Sequence, residues 1–276
     1  LLPDLKILSM SKKFSDKRRR IYKFLSLNWR GTKKQFSISN KAIKILSIMI
    51  IPIALSIHTV TAWLFATTYR PGWDSSNFGP YFVSGAFMAG AGAVIVAMYI
   101  FRKNYKLEKY ITYKHFDHMG KLLVLLSFLY LYFTINEYLV PAYKMKSAET
   151  EHLMGLFFGE FAIMFWTVIV LGMLIPISVL IFKKGRRPFP MFIIGLLVVI
   201  GAWFKRYLIV TPTLLHPFLP KYGVPESYLH YFPSWEEWSI TIGSLSGALL
   251  LIAIFVRYFP ITPINETIEE GELKNV

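Results

Sequence analysis

Six stretches of this chain are long and apolar enough to cross a lipid bilayer, and that feature leaves few folds open. They run approximately over Ala42–Thr67, Phe78–Phe101, Gly120–Tyr138, Leu153–Phe182, Phe189–Ile209 and Trp238–Phe259. Each is near the roughly 20 residues a helix needs to span the hydrocarbon core. The polar inventory agrees: 17% of residues are charged, where a soluble domain carries about 25%. The expected fold is all-α and integral to the membrane, with about six transmembrane helices: a four-helix bundle from the first four spans, plus additional spans. Three regions follow: a basic cytoplasmic segment over 1–41, a transmembrane helical domain over 42–259, and an acidic cytoplasmic tail over 260–276. Glycines in "SGAFMAGAGAV" suit close helix contact, because small residues let membrane helices approach. The first stretch is too internal, and its basic flank too long, for a cleaved signal peptide. The opening "LLPDL" has no Met and suggests that the sequence lacks its beginning.

The formal charge of +15 is explained by its distribution. Of the 31 Lys and Arg residues, 25 fall on one face if six spans thread back and forth. That set includes residues 1–46, the 102–121 stretch and "KKGRR". Arg70, Lys144, Lys146, Lys205, Arg206 and Lys221 make up the other face. Short basic loops stay in the cytoplasm, so both ends are expected there, in a multi-pass protein of the cytoplasmic (inner) membrane. The basic charge then serves topology and attraction to anionic lipid, and no nucleic-acid partner is expected. Without cysteine, the chain holds no disulfide, thiolate zinc site or thiolate-bound iron–sulfur cluster, and no metal site is expected.

Ionisable groups inside the spans carry the chemical interest, since each costs roughly 2.5–3.5 kcal/mol at the bilayer centre on insertion scales. At ~1.5 Å per residue, Glu137 sits ~24 Å from Lys121, Glu160 ~35 Å from Lys183, and Arg206 ~28 Å from Arg187. Those three are expected at similar heights in the outer third, facing one bundle interior, with His58 nearer mid-membrane. Asp117 and His118 mark the cytoplasmic entrance of the third span, where Asp117 and Lys121 are spaced for a local ion pair. Lys205 is expected to snorkel outward. Glu137 shares a helix face with Tyr130, seven residues before it, and needs either a proton, Arg206 or water. His58, Asp117, Glu137, Glu160 and Arg206 are therefore the candidates for a proton path or quinone contact. Tyr130, Tyr132 and Asn136 are candidate quinone-contacting residues beside them.

Several segments resemble a known family. "LSIHTVTAWLFATTYRPGWDSSNFGPYFVSGA" is the most specific; "HFDHMGKLL", "YLYFTINEYLVPAY", "WFKRYLIVTPTLLHPFLP" and "YFPSWEEW" follow in order. "LLPDLKILSMSKK" and "LNWRGTKKQF" are like a cytoplasmic linker between two helical bundles. Together they resemble the NrfD/polysulfide-reductase-type membrane subunits, most closely the C-terminal part of the C subunit of bacterial alternative complex III. The resemblance implies a subunit of a respiratory oxidoreductase with no redox centre of its own. It would interact with menaquinone or ubiquinone beside an iron–sulfur subunit on the outer face, among other membrane subunits, and offer a proton route. Two departures stand out: Lys205 replaces a carboxylate usual before the arginine, and "DHMGK" adds His118. The glycine–histidine motifs of the family's quinone pocket would lie in a bundle before Leu1.

Two other readings of the residues stay open. One is a purely structural membrane anchor of the complex. The other is a haem b-binding cytochrome subunit with His58 as an axial ligand; His115, His118, His152, His216 and His230 fall at helix ends or in loops. Docking of the iron–sulfur partner is expected on loops 68–77 and 210–236, through Trp73, Trp235 and Trp238.

Overall fold

A computed structural model of the chain describes residues 1–216, 222–223, 225 and 230–265. Most of the acidic tail, 266–276, and parts of the 210–236 connection lie outside the described residues. The described residues are helical, and six helices are long and apolar enough to span a membrane. The chain is an all-α integral membrane protein.

The helices are α1 (Leu2–Met10), α2 (Asp16–Leu25), α3 (Lys33–Ala66), α4 (Phe78–Asn104), α5 (Tyr113–Lys144) and α6 (Ser147–Phe157). There follow α7 (Ala162–Ile169), a π-helical turn (Val170–Leu174), α8 (Ile175–Ile181), α9 (Pro188–Leu215) and α10 (Trp235–Tyr258). They fall into two compact units, one of Leu1–Ile50 with Phe232–Val276, the other of Ile51–Tyr231.

In the first unit the basic segment is structured. Arg18 donates from Nη2 to the Arg257 carbonyl at 2.6 Å, and Tyr22 donates to the Tyr258 carbonyl at 2.7 Å. These bonds fasten α2 to the last turn of α10, satisfying carbonyls that a helix end leaves open. Helix α10 begins with a capping box, in which Ser234 and Glu237 bond each other's backbone.

The second unit contains the four-helix bundle, built from α4, α5, α7–α8 and α9. It therefore uses spans two to five, where the sequence suggested the first four. Packing explains the difference. A Cβ placed on Gly195 of α9 meets the Gly92 carbonyl of α4 at 2.9 Å, and one on Gly201 meets Gly172 Cα at 2.8 Å. These contacts bring backbones together as small residues do in membranes. Helix α3 has no glycine and carries bulky Ile, Leu and Met on every face, so most of it stays exposed.

The fourth span also departs from the expected Leu153–Phe182. The chain turns at Gly159, where a Cβ would sit 2.9 Å from Gly155 Cα, and the spanning helix begins at Ala162. Helix α6 is thus a separate element between spans three and four. Midway along the fourth span, the π-helical turn inserts extra backbone and places Gly172 against α9.

Candidate functional site

Glu137 organises the site. Its carboxylate, on a residue only 5% exposed, sits on the bundle side of α5 near the helix end. Ser75 Oγ donates to Oε2 at 2.7 Å and lies 2.9 Å from Oε1, while Asn77 Nδ2 donates to Oε2 at 3.1 Å and to the Phe133 carbonyl at 2.9 Å. A buried charge or polar group needs such partners. Both donors come from the connection between α3 and α4, within the "GWDSSNFG" stretch. That connection is held rigidly, because Trp73 is buried and donates from Nε1 to the Ile209 carbonyl of α9 at 2.8 Å. Trp73 is therefore a packing residue, not the exposed docking aromatic expected; Trp235 and Trp238 are exposed.

The next layer is aromatic and basic. Tyr138 accepts a hydrogen bond from Lys205 Nζ at 2.8 Å. The ammonium lies 4.7 Å from the Tyr138 ring centroid, 5.0 Å from Phe165 and 5.9 Å from Tyr81. Rings at these distances favour a desolvated cation through their quadrupoles. Tyr130 stacks on Tyr81 with centroids 5.4 Å apart, and Gly85 makes room for it: a Cβ there would lie 2.8 Å from the Tyr130 ring. The Tyr81 hydroxyl is buried near the phenols of Tyr130 and Tyr138 and makes no well-formed hydrogen bond. Glu137 and Lys205 thus face each other's charge across a wall of three tyrosines.

The expected roles of Lys205 and Arg206 are exchanged. Lys205 is 2% exposed, and Arg206, the expected partner of Glu137, is exposed and lines the cavity beside Tyr130. Neighbouring helix residues are turned about 100° apart, and the glycine contacts of α9 set which of the two faces inward.

Other sequence candidates lie elsewhere. Asp117 joins Lys121 Nζ at 2.6 Å and Arg186 Nε at 2.7 Å, at the opposite edge of the bundle. Arg186 also donates to the Leu180 and Ile181 carbonyls and packs where Gly120 leaves space, so this triad caps the end of α8. His58 is half-buried on α3, its Nδ1–H bonded to the Ala54 carbonyl at 2.8 Å. Glu160 is exposed in the turn before α7, its carboxylate 3.8 Å from His230. Tyr132 is exposed, and Asn136 donates to the Tyr132 carbonyl on its own helix. Of the eight candidates, the bundle brings Glu137 and Tyr130 together, and Arg206 shares a cavity with Tyr130. Among the described residues, no three His, Cys, Asp or Glu side chains form a group suited to a metal ion.

Beside Glu137 is a small cavity of about 20 Å³, lined also by Tyr138, Glu149, His152 and Thr213. A second of about 20 Å³ lies beside Lys205, Tyr81 and Tyr130. A water requires roughly 10–15 Å³ of such space, whereas sites for organic ligands occupy roughly 300–1,000 Å³. Both suit water, and neither accommodates a quinone ring.

Burial disfavours the charged form of His152 and, with His216 beside it, holds its pKa down at about 4. Sequence reasoning misses Glu149 and His152 because they precede the apolar run of the fourth span. Their i, i+3 spacing on one helix face is the signal that could have found them.

Comparison with known proteins gives a consistent family. The family description "Polysulphide reductase, NrfD" matches residues 11–217. The chain is similar to the C subunit of selenate reductase from Mesobacillus selenatarsenatis, 30% identical over 232 residues, covering 81% of this chain and 53% of that protein. It is similar to the integral membrane subunit of menaquinone reductase of Nitratidesulfovibrio vulgaris, 25% identical over 172 residues, 60% and 38% respectively. The putative C membrane subunit of dimethyl sulfoxide reductase from Halobacterium salinarum is 24% identical over 232 residues, 76% and 52%. The chain spans about half, or less, of the length of these relatives.

Proposed function

Because the chain belongs to the NrfD polysulphide reductase family, we infer that it is a membrane subunit of a quinone-linked reductase and moves protons through the Glu137–Tyr138–Lys205 cluster. One observation carries the reading: a carboxylate and an ammonium, both nearly fully buried among helices that span lipid, the ammonium bonded to the Tyr138 phenol and each group beside a water-sized cavity. A structural anchor has no need of such groups, which are costly in a membrane and mark proton or ion routes there. Menaquinone is named by one relative, and quinone chemistry exchanges two protons with two electrons. The two cavities beside Glu137 and Lys205 are too small for the ring, so these residues supply or remove protons while the ring binds elsewhere. An iron–sulfur partner, as the resemblance implies, docks on the basic-poor edge, where the α3–α4 connection and α6 lie.

The chemistry available here is proton exchange. Glu137 takes or gives a proton at its carboxylate, and Ser75 and Asn77 fix its orientation and stabilise the anion. Lys205 offsets that negative charge through the tyrosine wall. In the assembled complex, Glu137→Gln keeps the shape and the Ser75 and Asn77 contacts but removes the titration. Quinone-linked turnover is expected to fall at least about tenfold, the scale of a lost general acid–base group, with assembly intact. Full turnover in this variant returns the chain to the anchor reading.

A further inference from the structure

Resting on that reading, the geometry points to Glu149 as a second proton-carrying carboxylate, reached from Glu137 through a water that His152 positions in the cavity between them. Glu149 is 4% exposed and His152 5%, and both line the cavity that Glu137 also lines. Each presents a buried polar atom without a hydrogen-bond partner: Oε2 of Glu149 and Nδ1 of His152. Such atoms cost about 1–3 kcal/mol each when left unmet. Two such atoms on residues that line the cavity, with Glu137 lining it as well, match the two to four polar partners that a buried water requires.

The fold builds this arrangement from three elements. Glu149 and His152 are three residues apart on α6, hence on one face. Gly72, at φ +83°, lets the α3–α4 connection pass against the imidazole: a Cβ at that position would lie 2.9 Å from His152 Nε2. Thr213 and Leu208 of α9 close the floor. The other carboxylate oxygen of Glu149, Oε1, lies 3.8 Å from the ammonium of Lys146, whose side chain is 58% exposed. Glu149, which lines the cavity, therefore has one oxygen near an exposed cation and one buried without a partner.

The proton step balances without any other reagent. Protonated Glu137 releases its proton to the water, and the water passes one of its own to Glu149 Oε2. Glu137 is left as a carboxylate held by Ser75 and Asn77, and Glu149 as a neutral acid. The charge on this side of the cavity moves by one unit and nothing is oxidised or reduced. Glu149 then releases its proton at the edge where Lys146 stands, or the sequence runs in reverse for uptake. His152 stays neutral throughout and is a positioning residue: its Nδ1 orients the water.

The test uses the complete complex in vesicles with an entrapped pH indicator, together with infrared difference spectra on quinone reduction. Glu149→Gln is expected to slow proton appearance at least about tenfold and to remove the carbonyl band of a protonated carboxylic acid. His152→Gln is expected to shift that band without abolishing it. Leu153→Phe fills the cavity, removes no titratable group, and is expected to slow proton appearance as well. If Glu149→Gln keeps both rate and band while Glu137→Gln arrests turnover, the relay falls and the reading of Glu137 stands. If Glu137→Gln also runs at full rate, both fall. Should Glu149→Gln fail to assemble, the band shift in His152→Gln and the rate in Leu153→Phe decide by the same criteria: an unmoved band and a full rate overturn the relay.

Discussion

At the scale of residues, the buried lysine is the sharpest departure from expectation. Lys205 has one hydrogen bond, to Tyr138, and three rings around its ammonium, while Arg206 next to it is exposed. Replacing a whole buried charge pair with apolar side chains is often neutral or stabilising, whereas removing one member leaves the other charge uncompensated. Lys205→Met alone is therefore expected to lower the thermal midpoint of the purified complex and to cut quinone-linked turnover about tenfold. Arg206→Gln is expected to change turnover less than about twofold, as for an exposed surface group. A Lys205→Met complex that melts early but turns over normally would reassign the lysine to packing. Glu137 was legible in the sequence because a carboxylate in an apolar run stands out. Ser75 and Asn77 were not, because loop residues become partners only when tertiary structure folds them over. Which of Lys205 and Arg206 turns inward was equally hidden, since it depends on the rotation of α9 and not on composition.

At the scale of elements, six spans were readable from hydropathy because apolar length is a local property, whereas their grouping was not. The bundle excludes α3 and takes α9 because backbone contact, not hydrophobicity, chooses partners in lipid. Gly195 and Gly92 illustrate this, with a Cβ at 195 only 2.9 Å from a backbone carbonyl that cannot rotate away. Gly90, two residues from Gly92, has nothing within 4 Å of its Cβ position. Gly195→Leu is expected to destabilise the protein by about 1–3 kcal/mol through overpacking. Gly90→Ala is expected to be neutral or to stabilise by up to about 1 kcal/mol, from helix propensity. Thermal unfolding in one detergent compares them; equal midpoints would mean that the α4–α9 crossing is not set by these glycines. The break between α6 and α7 had a similar origin: glycines at 155 and 159 allow a turn that a hydropathy window smooths over.

At the scale of the whole molecule, the distribution of basic residues sets the expected orientation. The α4–α5 and α8–α9 connections carry Lys106, Lys109 and the 183–187 cluster, and the Asp117–Arg186 pair lies at that same edge. The opposite edge, with the α3–α4 connection, α6 and the Glu137 cluster, is poor in basic residues. Translocating short basic loops is disfavoured, so the first edge is expected in the cytoplasm and the proton-exchanging cluster toward the outside. Because these 276 residues contain no cysteine, each single cysteine introduced here adds one new labelling site. Lys12, Lys109 and Tyr222 are exposed and lie outside the Glu137 cluster. With a membrane-impermeant maleimide on sealed spheroplasts, Tyr222→Cys is expected to label at once. Lys12→Cys and Lys109→Cys are expected to label only after permeabilisation. The reverse pattern would turn the molecule over: Glu137 and Glu149 would then open to the cytoplasm, and the same relay would take protons up from that side instead of releasing them outside.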